Sequence, residues 1–353
     1  MTTHQYLEID GSLGEGGGAI VRIGAGFSIL FKRPIRIKNI RANRPKPGLR
    51  MQHFMGLKTL SELTNSELSN CNVGTQEIIL NPGQTIKNYI QVEIKTAGNI
   101  GLLLQPIQIA CLGLTSPDNI EITINGGGTF GKWAPGLNYL EEVTYKIFKN
   151  HGFRIDLDIQ KHGFYPRGGA LIKCILHSPK NKLIPLSLTE LGNIDLIQGK
   201  IICTSQLKQK KVSERIKESA ENQLRKELQL DVNIKFKYIK ALSPGVGLYL
   251  WADSETGACI SSGTILGERN ITSEHLGKIA ANELIKYIKK EIPVDNYLSD
   301  QLIPFMGFVN EASRIKVLEL TNHTRTNLEL MRLFLKRNYK ILNKKNYCII
   351  ELQ

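Results

Sequence analysis

Alternating and helically spaced apolar residues, separated by glycine-rich turns, organise the first 180 residues of the chain. Apolar and polar residues that alternate predict a strand, and apolar residues that recur every three or four positions predict a helix. These patterns predict strands in QYLEID, PIRIKNIR and EIILNPG, and helices in AIVRIGAGFSILF and GLRMQHFMGLKTLSELT. The segment GSLGEGGG, between the first strand and the first helix, is predicted to be a glycine loop. Five glycines in eight loop residues leave room for backbone or a ligand to come near.

The same succession returns further along the chain. YIQVEIKTA predicts a strand and IGLLLQPIQIACLGL a helix, and the segment from NIEITINGGG to YKIFKNHG predicts strand, glycine turn and helix. FRIDLDIQKHGFYPRGGALIKCIL supplies two more strands. The order of strand, GGG and helix near Gly16 and Gly126 indicates a repeated αβ unit, although the pattern alone does not establish a repeat.

The composition changes at SPKNKLIP, residues 178–185. IDLIQGKIICTSQ, the charged helix KKVSERIKESAENQLRKEL and two strand-rich stretches then indicate a self-contained β-α-β-β domain of roughly 90–100 residues. A helical pattern resumes in SEHLGKIAANELIKYIKKE. We therefore predict one large domain from residues 1–184 and 278–353, and a small inserted α/β domain from residues 185–277.

Composition narrows the class of protein. With 353 residues, 41% apolar and 22% charged, the chain has the composition of a soluble globular protein. The 46 Lys and Arg against 32 Asp and Glu give a net charge of +14, which favours a polyanionic partner because a basic surface concentrates phosphates. A solvated lysine-rich surface is the competing explanation of this charge.

Cysteine usage and hydropathy exclude several other classes. The six cysteines are scattered without a CxxC pair, which argues against structural zinc and against a disulfide framework. No uninterrupted apolar stretch approaches the ~20 residues that span a bilayer, and no secretory signal is evident. We expect a soluble protein of the cytoplasm that is not attached to a membrane.

The glycine loop invites a dinucleotide-binding interpretation. The segment Gly14–Ala19 satisfies GxGxxA between a predicted strand and a predicted helix. Glu15 would repel a pyrophosphate unless a cation intervened, and the surrounding elements are not a run of parallel βαβ units. A GxxxxGK[ST] motif is absent, so there is no P-loop. A tight strand-to-helix turn accounts for the glycines equally well.

A stiff basic loop, RANRPKPGLRMQH, follows the second predicted strand. Two prolines and a glycine constrain a segment with three arginines, whereas a solvated charge run needs no such stiffening. Preorganised arginines suit bidentate binding of phosphate oxygens, so anion binding is favoured over a plain surface loop. The basic cluster and its polar neighbours are Arg22, Arg36, Lys38, Arg41, Arg44, Lys46, Arg50, Gln52 and His53.

Two further segments combine aromatic and polar residues. HGFYPRGG constrains two aromatics and an arginine in a turn, where stacking on nucleic-acid bases competes with a hairpin corner packed by its own rings. DNYLSDQ offers Tyr297, Asp300 and Gln301 on one helical face, suited to a base and a ribose. An acidic helix N-terminus is the alternative interpretation of that segment.

The segment TNHTRTN places His323 in a polar turn directly before an amphipathic helix, with Thr326 or Asn327 as the expected helix cap. A lone histidine in such a turn is more often structural than catalytic. The neighbouring motifs change that expectation.

Seven blocks together resemble the RNA 3′-terminal phosphate cyclase family. They run in the family's order from Glu8 to Asn327: EIDGSLGEGGGAIVR, NIRANRPKPGLRMQH, GGGTFGKWAPGLNYL, GFYPRGG, LGERN, VDNYLSDQ and TNHTRTN. The resemblance implies a mixed α/β (α+β) fold: a large domain of three repeated sheet-plus-two-helices units, similar to enolpyruvyl transferases, with a small α/β domain inserted.

The resemblance also implies a reaction. ATP adenylates a histidine, the AMP passes to an RNA 3′-phosphate, and the vicinal 2′-hydroxyl attacks to give a 2′,3′-cyclic phosphate and AMP. His323 matches the family's nucleophile, and Glu15 would be a ligand to Mg²⁺ or Mn²⁺ that bridges the triphosphate. A homodimer is one option that the sequence leaves open.

The remaining site residues follow from the matching motifs. Contacts to the nucleotide are implied for Gln105, Pro135, Tyr297, Leu298, Ser299, Asp300 and Gln301. Contacts to phosphates or to the RNA end are implied for Arg22, Arg41, Arg44, Gln52 and His53. A helix-surface histidine is the alternative interpretation of His53.

Three positions depart from the family pattern. Ala19 stands where glutamine is usual, and Asn43 and Asn270 stand where glycine is usual, which bears on the geometry of the phosphate end. The strongest rival function is a non-catalytic, cyclase-like RNA-binding protein of ribosome assembly, which would lack the nucleophile. An enolpyruvyl-type transferase would not explain the Asn-His-Thr turn, and a nicotinamide oxidoreductase rests on the glycine loop alone.

Overall fold

Three four-stranded sheets of identical strand order, each covered by helices, build the larger part of the molecule. A computed structural model of the chain describes residues 5–132, 134–335 and 337–353. Within these ranges, no helix is both long and apolar enough to cross a membrane.

The first unit joins four strands and two helices, and its sheet order is β1-β2-β4-β3. Its first two strands are parallel, and the last strand pairs antiparallel with both the second and the third. Its elements in chain order are β1 (Leu7–Asp10), α1 (Ala19–Leu30), β2 (Ile35–Lys38), α2 (Met51–Leu63), β3 (Glu67–Leu68) and β4 (Ile78–Asn81).

The second unit repeats this arrangement with longer strands, in the order β5-β6-β8-β7. Its first pair is again parallel and the other two pairs are antiparallel. Its elements are β5 (Tyr89–Asn99), α3 (Ile100–Ala110), β6 (Asn119–Gly128), α4 (Leu137–Tyr139), a π-helical turn (Leu140–Thr144), α5 (Tyr145–Asn150), β7 (Ile155–Lys161) and β8 (Leu171–His177).

The third unit is interrupted after its first strand, β9 (Ser187–Leu188). The interrupting segment forms its own sheet, ordered β11-β10-β12-β13 with β14 on β12, and packs two helices on it. Its elements are β10 (Leu196–Thr204), a 3₁₀ turn (Ser205–Lys210), α6 (Val212–Glu227), β11 (Asp231–Ile239), β12 (Val246–Asp253), β13 (Cys259–Ser261), β14 (Ile265–Leu266) and α7 (Ser273–Lys289).

The third unit then resumes and completes a sheet ordered β9-β15-β17-β16. Its first pair is parallel and the others are antiparallel, as in the first two units. The elements that complete it are α8 (Asn296–Phe308), β15 (Ser313–Val317), α9 (Asn322–Leu335), β16 (Tyr339–Asn343) and β17 (Cys348–Leu352). The predicted α/β fold class with three repeated sheet-and-helix units and a small α/β insert is thus confirmed.

Two contacts bear on the predicted domain limits of 185 and 277. Strand β9 pairs with β15 and so belongs to the third unit, although it lies inside the predicted insert. Helix α7, which contains residue 277, packs along α6 and against β12, and its Tyr287 hydroxyl also accepts the Asn296 N–H at the start of α8. We therefore place the inserted unit between about Leu196 and Lys289, which is itself a proposal about domain division.

The repeated strand order decides where loops of different units meet. In each unit the first two strands are parallel, so their carboxyl ends, and the helix N-termini that follow, share one sheet edge. Helices α1 and α3 pack closely, because a Cβ on Gly26 would lie 2.8 Å from the Ile109 Cβ. Helix α1 also packs on α9, which joins the first unit to the third.

Candidate active site

The glycine loop between β1 and α1 lies against helices from two units. Gly14 and Gly16 have left-handed φ values of +57° and +56°, which glycine adopts at little cost. A Cβ on Gly14 would lie 2.3 Å from the Thr326 Oγ1 on α9, and one on Gly18 would lie 2.0 Å from the His53 Nε2 on α2. The glycines are therefore needed for close packing, and the loop joins the N-termini of α1, α2 and α9.

His323 occupies the first turn of α9, and its side chain is 47% exposed. The helix begins at Asn322, so the predicted cap at Thr326 or Asn327 is wrong, because both residues lie in the second turn. Thr321 takes the capping role, since its Oγ1 accepts the Thr324 backbone N–H at 2.9 Å. His323 therefore stands at a helix N-terminus, where the helix dipole favours a bound anion.

Glu15 joins the glycine loop to both the histidine and the basic loop. Its Oε2 lies 3.3 Å from the His323 Nε2 and 3.1 Å from a terminal nitrogen of Arg44. Arg44 also lies against the glycine loop, 3.4 Å from a Cβ built on Gly17. Residues from three distant parts of the sequence thus meet at one carboxylate.

Arg22 is a buried cation one turn inside α1. Its Nε donates to the Gln105 Oε1 on α3 at 2.7 Å, and burial lowers the pKa of its guanidinium to about 10. Throughout the described part of the chain, no carboxylate lies within ion-pair distance of Arg22. A buried arginine without a carboxylate is expected to pair with an anionic ligand, because an uncompensated buried charge is unfavourable.

His53 lies buried in the first turn of α2, behind the glycine loop, and is not a surface histidine. Its Nδ1 accepts the Arg50 backbone N–H at 3.2 Å, so in the neutral ring Nε2 carries the proton, toward Gly18. Burial, with the nearby Arg22, Arg41 and Arg50, holds the pKa of His53 well below its usual value. The ring is therefore a neutral N–H donor among arginines. Gln52 lies half-buried beside it.

The basic loop is braced by its own arginine. Arg41, at φ +55°, donates through one terminal nitrogen to the carbonyls of Lys46 and Gly48 at 2.6 and 3.1 Å. Burial and the charges of Arg50 and Arg44 lower the pKa of Arg41. The loop thus holds several cations close together and is braced by its own hydrogen bonds; anion binding by this loop stays a prediction.

The three departures from the family pattern are accommodated locally. Asn43 has no positive φ and donates to the Ser12 carbonyl at 3.4 Å, which ties the basic loop to the glycine loop. Asn270 adopts φ +72°, a left-handed conformation that asparagine tolerates better than most residues other than glycine. Ala19 is the first, buried residue of α1.

Helix α8 supplies the predicted nucleotide-binding group. Asp300 accepts from the hydroxyls of Thr321 and Thr324 at 2.8 and 2.6 Å, which fixes α8 to the turn before His323. Burial raises the pKa of Asp300, with Glu15 adding to the rise. Tyr297 is 45% exposed, and its ring stands edge-on to that of Tyr139 at 6.3 Å. The side chains of the other three predicted residues are buried: Leu298, Ser299 and Gln301.

Pro135 lies over the N-terminus of α3. Its carbonyl accepts from the Asn99 Nδ2 at 3.4 Å, while the Asn99 Oδ1 caps α3 by accepting the Leu102 N–H at 2.9 Å. Gln105 follows one turn later on the same helix, where it binds Arg22. Helix α3 thereby connects Pro135 to Arg22, through Asn99 at its N-terminus and Gln105 one turn later.

Asp295, which the sequence interpretation did not single out, is a buried residue at the N-terminus of α8. One Oδ caps α8 through the N–H of Tyr297 and Leu298 and accepts the Tyr139 hydroxyl, all at 3.0 Å, and the other accepts the Ser261 N–H at 3.1 Å. Burial raises its pKa to about 7. An aspartate directly before a predicted helix is a recognisable capping signal, but its partners in the second unit and the insert are not visible in the sequence.

The donor set suits a metal held mainly by a ligand. Across the three described ranges, no group of three or more His, Cys, Asp or Glu side chains could hold a metal ion. Mg²⁺ is usually bound by one or two carboxylates together with substrate phosphates, so the single carboxylate of Glu15 among arginines would fit such an ion. Taken together, the site combines a half-exposed imidazole, a carboxylate, buried and loop arginines, and three helix N-termini.

The chain is similar in sequence to known proteins over almost its whole length. The family model for RNA 3′-terminal phosphate cyclase matches residues 13–341. An RNA 3′-terminal phosphate cyclase of Thermococcus gammatolerans is 37% identical over 337 residues, which cover 96% of this chain and 94% of the relative. Relatives of the same description from Methanopyrus kandleri and Archaeoglobus fulgidus are 33% and 32% identical, over 96% of this chain and 96% and 98% of their own lengths. The chain therefore belongs to the RNA 3′-terminal phosphate cyclase family.

Proposed function

We propose that the chain uses ATP to convert an RNA 3′-terminal phosphate into a 2′,3′-cyclic phosphate, and that His323 carries AMP between the two substrates. The observation that carries this proposal is the position of His323. It is a half-exposed imidazole at a helix N-terminus, 3.3 Å from Glu15, beside a glycine loop that also borders buried His53 and loop Arg44. Family membership supports the same reaction.

In the first step a lone pair of the His323 ring attacks the α-phosphorus of ATP. A phosphorus–nitrogen bond forms, the bond to the bridging oxygen breaks, and pyrophosphate leaves. One ring nitrogen attacks while the other can hold its proton against Glu15, which lies 3.3 Å from Nε2. Covalent catalysis of this kind divides one difficult substitution into two easier ones.

Charge develops on the phosphates in each step, and the cations around the glycine loop are placed to stabilise it. Arg22 has no carboxylate partner among the described residues, His53 offers a neutral N–H, and the α9 N-terminus adds a positive dipole end. Preorganised electrostatic stabilisation is usually the largest contribution in such sites. Arg41, Arg44 and Gln52 complete the group that we assign to phosphates or the RNA end.

The nucleotide is assigned to the surface between α3 and α8. The half-exposed Tyr297 offers an apolar ring for adenine, and we assign Pro135, Gln105 and Asp300 to contacts with the rest of the nucleotide. The buried Leu298, Ser299 and Gln301 would act by holding α8 in place.

We assign Glu15 as the protein ligand of a Mg²⁺ or Mn²⁺ ion, which would neutralise charge on the triphosphate when bound. The remaining ligands would be phosphate oxygens and water. The metal, like ATP, is part of this proposal.

The later steps transfer and then release AMP. An oxygen of the RNA 3′-phosphate attacks the adenylate phosphorus, the phosphorus–nitrogen bond breaks, and the histidine leaves as a neutral ring that keeps the proton on its other nitrogen. The 2′-hydroxyl then attacks the 3′-phosphorus, loses its proton and expels AMP. The products are the 2′,3′-cyclic phosphate and AMP, with pyrophosphate from the first step. A cytoplasmic location, and a homodimer as one option, stay predictions.

The activity is tested with an RNA that is labelled next to its 3′-phosphate. The full chain, ATP and Mg²⁺ should give a terminus that resists phosphatase, and the same RNA with a 3′-hydroxyl should be unchanged. His323→Ala should abolish the product. His275→Ala is the matched control, because His275 also lies in the first turn of a helix, α7, but is exposed on the insert. Stable RNA binding without any cyclic product, in wild type as well, would instead favour a non-catalytic RNA-binding protein.

A further inference from the structure

The turn between β7 and β8, residues 162–169, is held rigidly between the second unit and the insert. Phe164 is buried and stacks on Phe130, with ring centroids 4.9 Å apart and an interplanar angle of 16°. Cβ atoms on Gly163 and Gly168 would lie 2.2 and 2.7 Å from the Gly127 carbonyl oxygen, so the turn backbone packs directly on β6. The conformation of the turn is therefore fixed by its packing.

This rigid turn presents Tyr165 to solvent. The side chain is 83% exposed, more than any other large hydrophobic side chain in the described part of the chain, and Leu242 nearby is 58% exposed. The sequence left open a hairpin corner packed by its own aromatics, and Phe164 fulfils that role. Tyr165 is not needed to pack the corner of the hairpin, so the exposure of its side chain requires a different explanation.

The turn that carries Tyr165 is linked by a series of contacts to three other segments. The Arg167 N–H donates to the Ser243 Oγ at 3.1 Å, and a Cβ on Gly168 would lie 2.8 Å from the Thr96 carbonyl oxygen. Ser205 and Gln206 in turn donate to the carbonyls of residues 239 and 241 at 3.1 and 3.3 Å. We call the segments 94–97, 161–170, 205–211 and 239–246 the basic surface.

The basic surface carries seven Lys and Arg residues and no Asp or Glu. All seven are exposed, and none forms a salt bridge with any residue of the described ranges. Glu214, at the start of α6, is within electrostatic reach of Lys208 and Lys211, but its carboxylate accepts the Tyr238 hydroxyl at 2.7 Å. A solvated charged face usually mixes both signs, so a segregated basic patch indicates a polyanion.

The basic surface adjoins the active-site edge of the second sheet. The turn 162–169 and the loop after β6 extend from the same edge, because β6 and β8 are antiparallel and pair Asn125 with Leu171 there. Phe130, which supports Phe164, begins the loop that ends at Pro135 over α3. A polymer bound at His323 could therefore continue along this edge onto the basic surface.

We propose that the basic surface binds the single-stranded RNA that precedes the terminal phosphate, and that the ring of Tyr165 stacks on one of its bases. Exposed aromatics among cations are the means by which proteins bind single strands, because every base has a π-face and the lysines follow the phosphates. This proposal rests on the proposed function in one respect, because it takes the 3′ end of the RNA strand to lie at His323. The nucleotides that precede the terminal phosphate would thus be bound by residues outside the site proposed for the phosphates.

The test measures binding of a fluorescent single-stranded RNA with a 3′-phosphate to the full chain, by anisotropy. Tyr165→Ala should raise Kd about 10-fold, a typical loss for one stacked base, and Tyr165→Phe should retain wild-type binding. Tyr89→Ala is the matched control, since Tyr89 is 48% exposed at the opposite end of β5. Lys240→Ala should lower the slope of log Kd against log salt by about 0.7.

Equal Kd values for wild type and Tyr165→Ala would overturn the proposal. It would also be overturned if Tyr165→Ala weakened binding of duplex RNA as much as binding of single-stranded RNA, because the bases of a duplex cannot stack on a side chain. Labelling of the protein by ATP alone separates this test from the proposed function. Tyr165→Ala should be labelled at the wild-type rate, because the ring lies outside the nucleotide site. Absence of label on every variant would reject the proposed chemistry, while the anisotropy result would still decide the RNA contact.

Discussion

Gly14→Ala tests whether the glycine loop positions Glu15 for chemistry. Gly14 has φ +57°, and an added Cβ would lie 2.3 Å from the Thr326 Oγ1. Left-handed backbone costs an alanine about 1–2 kcal/mol. An ordinary contact needs at least 3.4 Å, so the loop or α9 must also move by about 1 Å. A displacement of that size at a reacting centre can reduce a rate by roughly 100-fold.

Gly257→Ala is the matched control for this substitution. Gly257 has φ +82° in a turn of the insert, and its added Cβ would meet nothing within 4 Å. Gly257→Ala should lose about 1–2 kcal/mol in urea unfolding, and Gly14→Ala should lose more because of the added clash. In labelling by ATP, only Gly14→Ala should slow by about 100-fold. Adding Thr326→Ala removes the atom that the new Cβ meets, so the double variant should recover most of the rate. Equal labelling rates for Gly14→Ala and Gly257→Ala would refute the reasoning.

Three further substitutions probe the site. Asp295→Asn leaves one of the buried donors around it unpaired, so urea unfolding should show a loss of about 2 kcal/mol. Because the native state raises the pKa of Asp295 to about 7, the wild-type free energy of unfolding should fall as pH rises from about 4 to about 7, and this fall should be absent in the variant. Arg22→Lys removes bidentate binding at a buried position and should raise the KM for ATP about 10-fold in steady-state assays. Glu15→Gln should raise the Mg²⁺ concentration for half-maximal labelling, and an unchanged metal requirement would exclude Glu15 as the ligand.

Local patterns predicted the elements well where apolar residues recur at helical spacing or fill most of a segment. The predicted helix in AIVRIGAGFSILF is α1, and the charged helix after residue 210 is α6, because their apolar spacing is a property of the sequence itself. Strand β9 has only two residues, which is too short for any periodicity. The apolar face of α7 does not reveal whether its partner is α6 or the large domain, so the limits of the insert depend on contacts that sequence patterns do not encode.

The candidate site was also predictable only in part, because local patterns do not encode contacts between distant residues. The resemblance supplied the residue types, and the stiffness of the basic loop followed from its prolines. The contacts that join them span long distances in sequence: Arg22 binds Gln105, 83 residues away, and Thr324 binds Asp300, 24 residues away. No local propensity predicts such pairs. The capping of α9 by Thr321 was also missed, because Thr326 offers an equally suitable side chain to a local rule.

Covalent labelling at His323 tests the central claim most directly. The full chain is incubated with α-³²P-ATP and Mg²⁺, digested and mapped by mass spectrometry, alongside His323→Ala and the surface control His275→Ala. We expect acid-labile, alkali-stable label on the His323 peptide of wild type and His275→Ala, discharged by RNA with a 3′-phosphate, and none on His323→Ala. Label that persists on His323→Ala, or cyclic product formed by that variant, would contradict the assignment of His323 as the nucleophile.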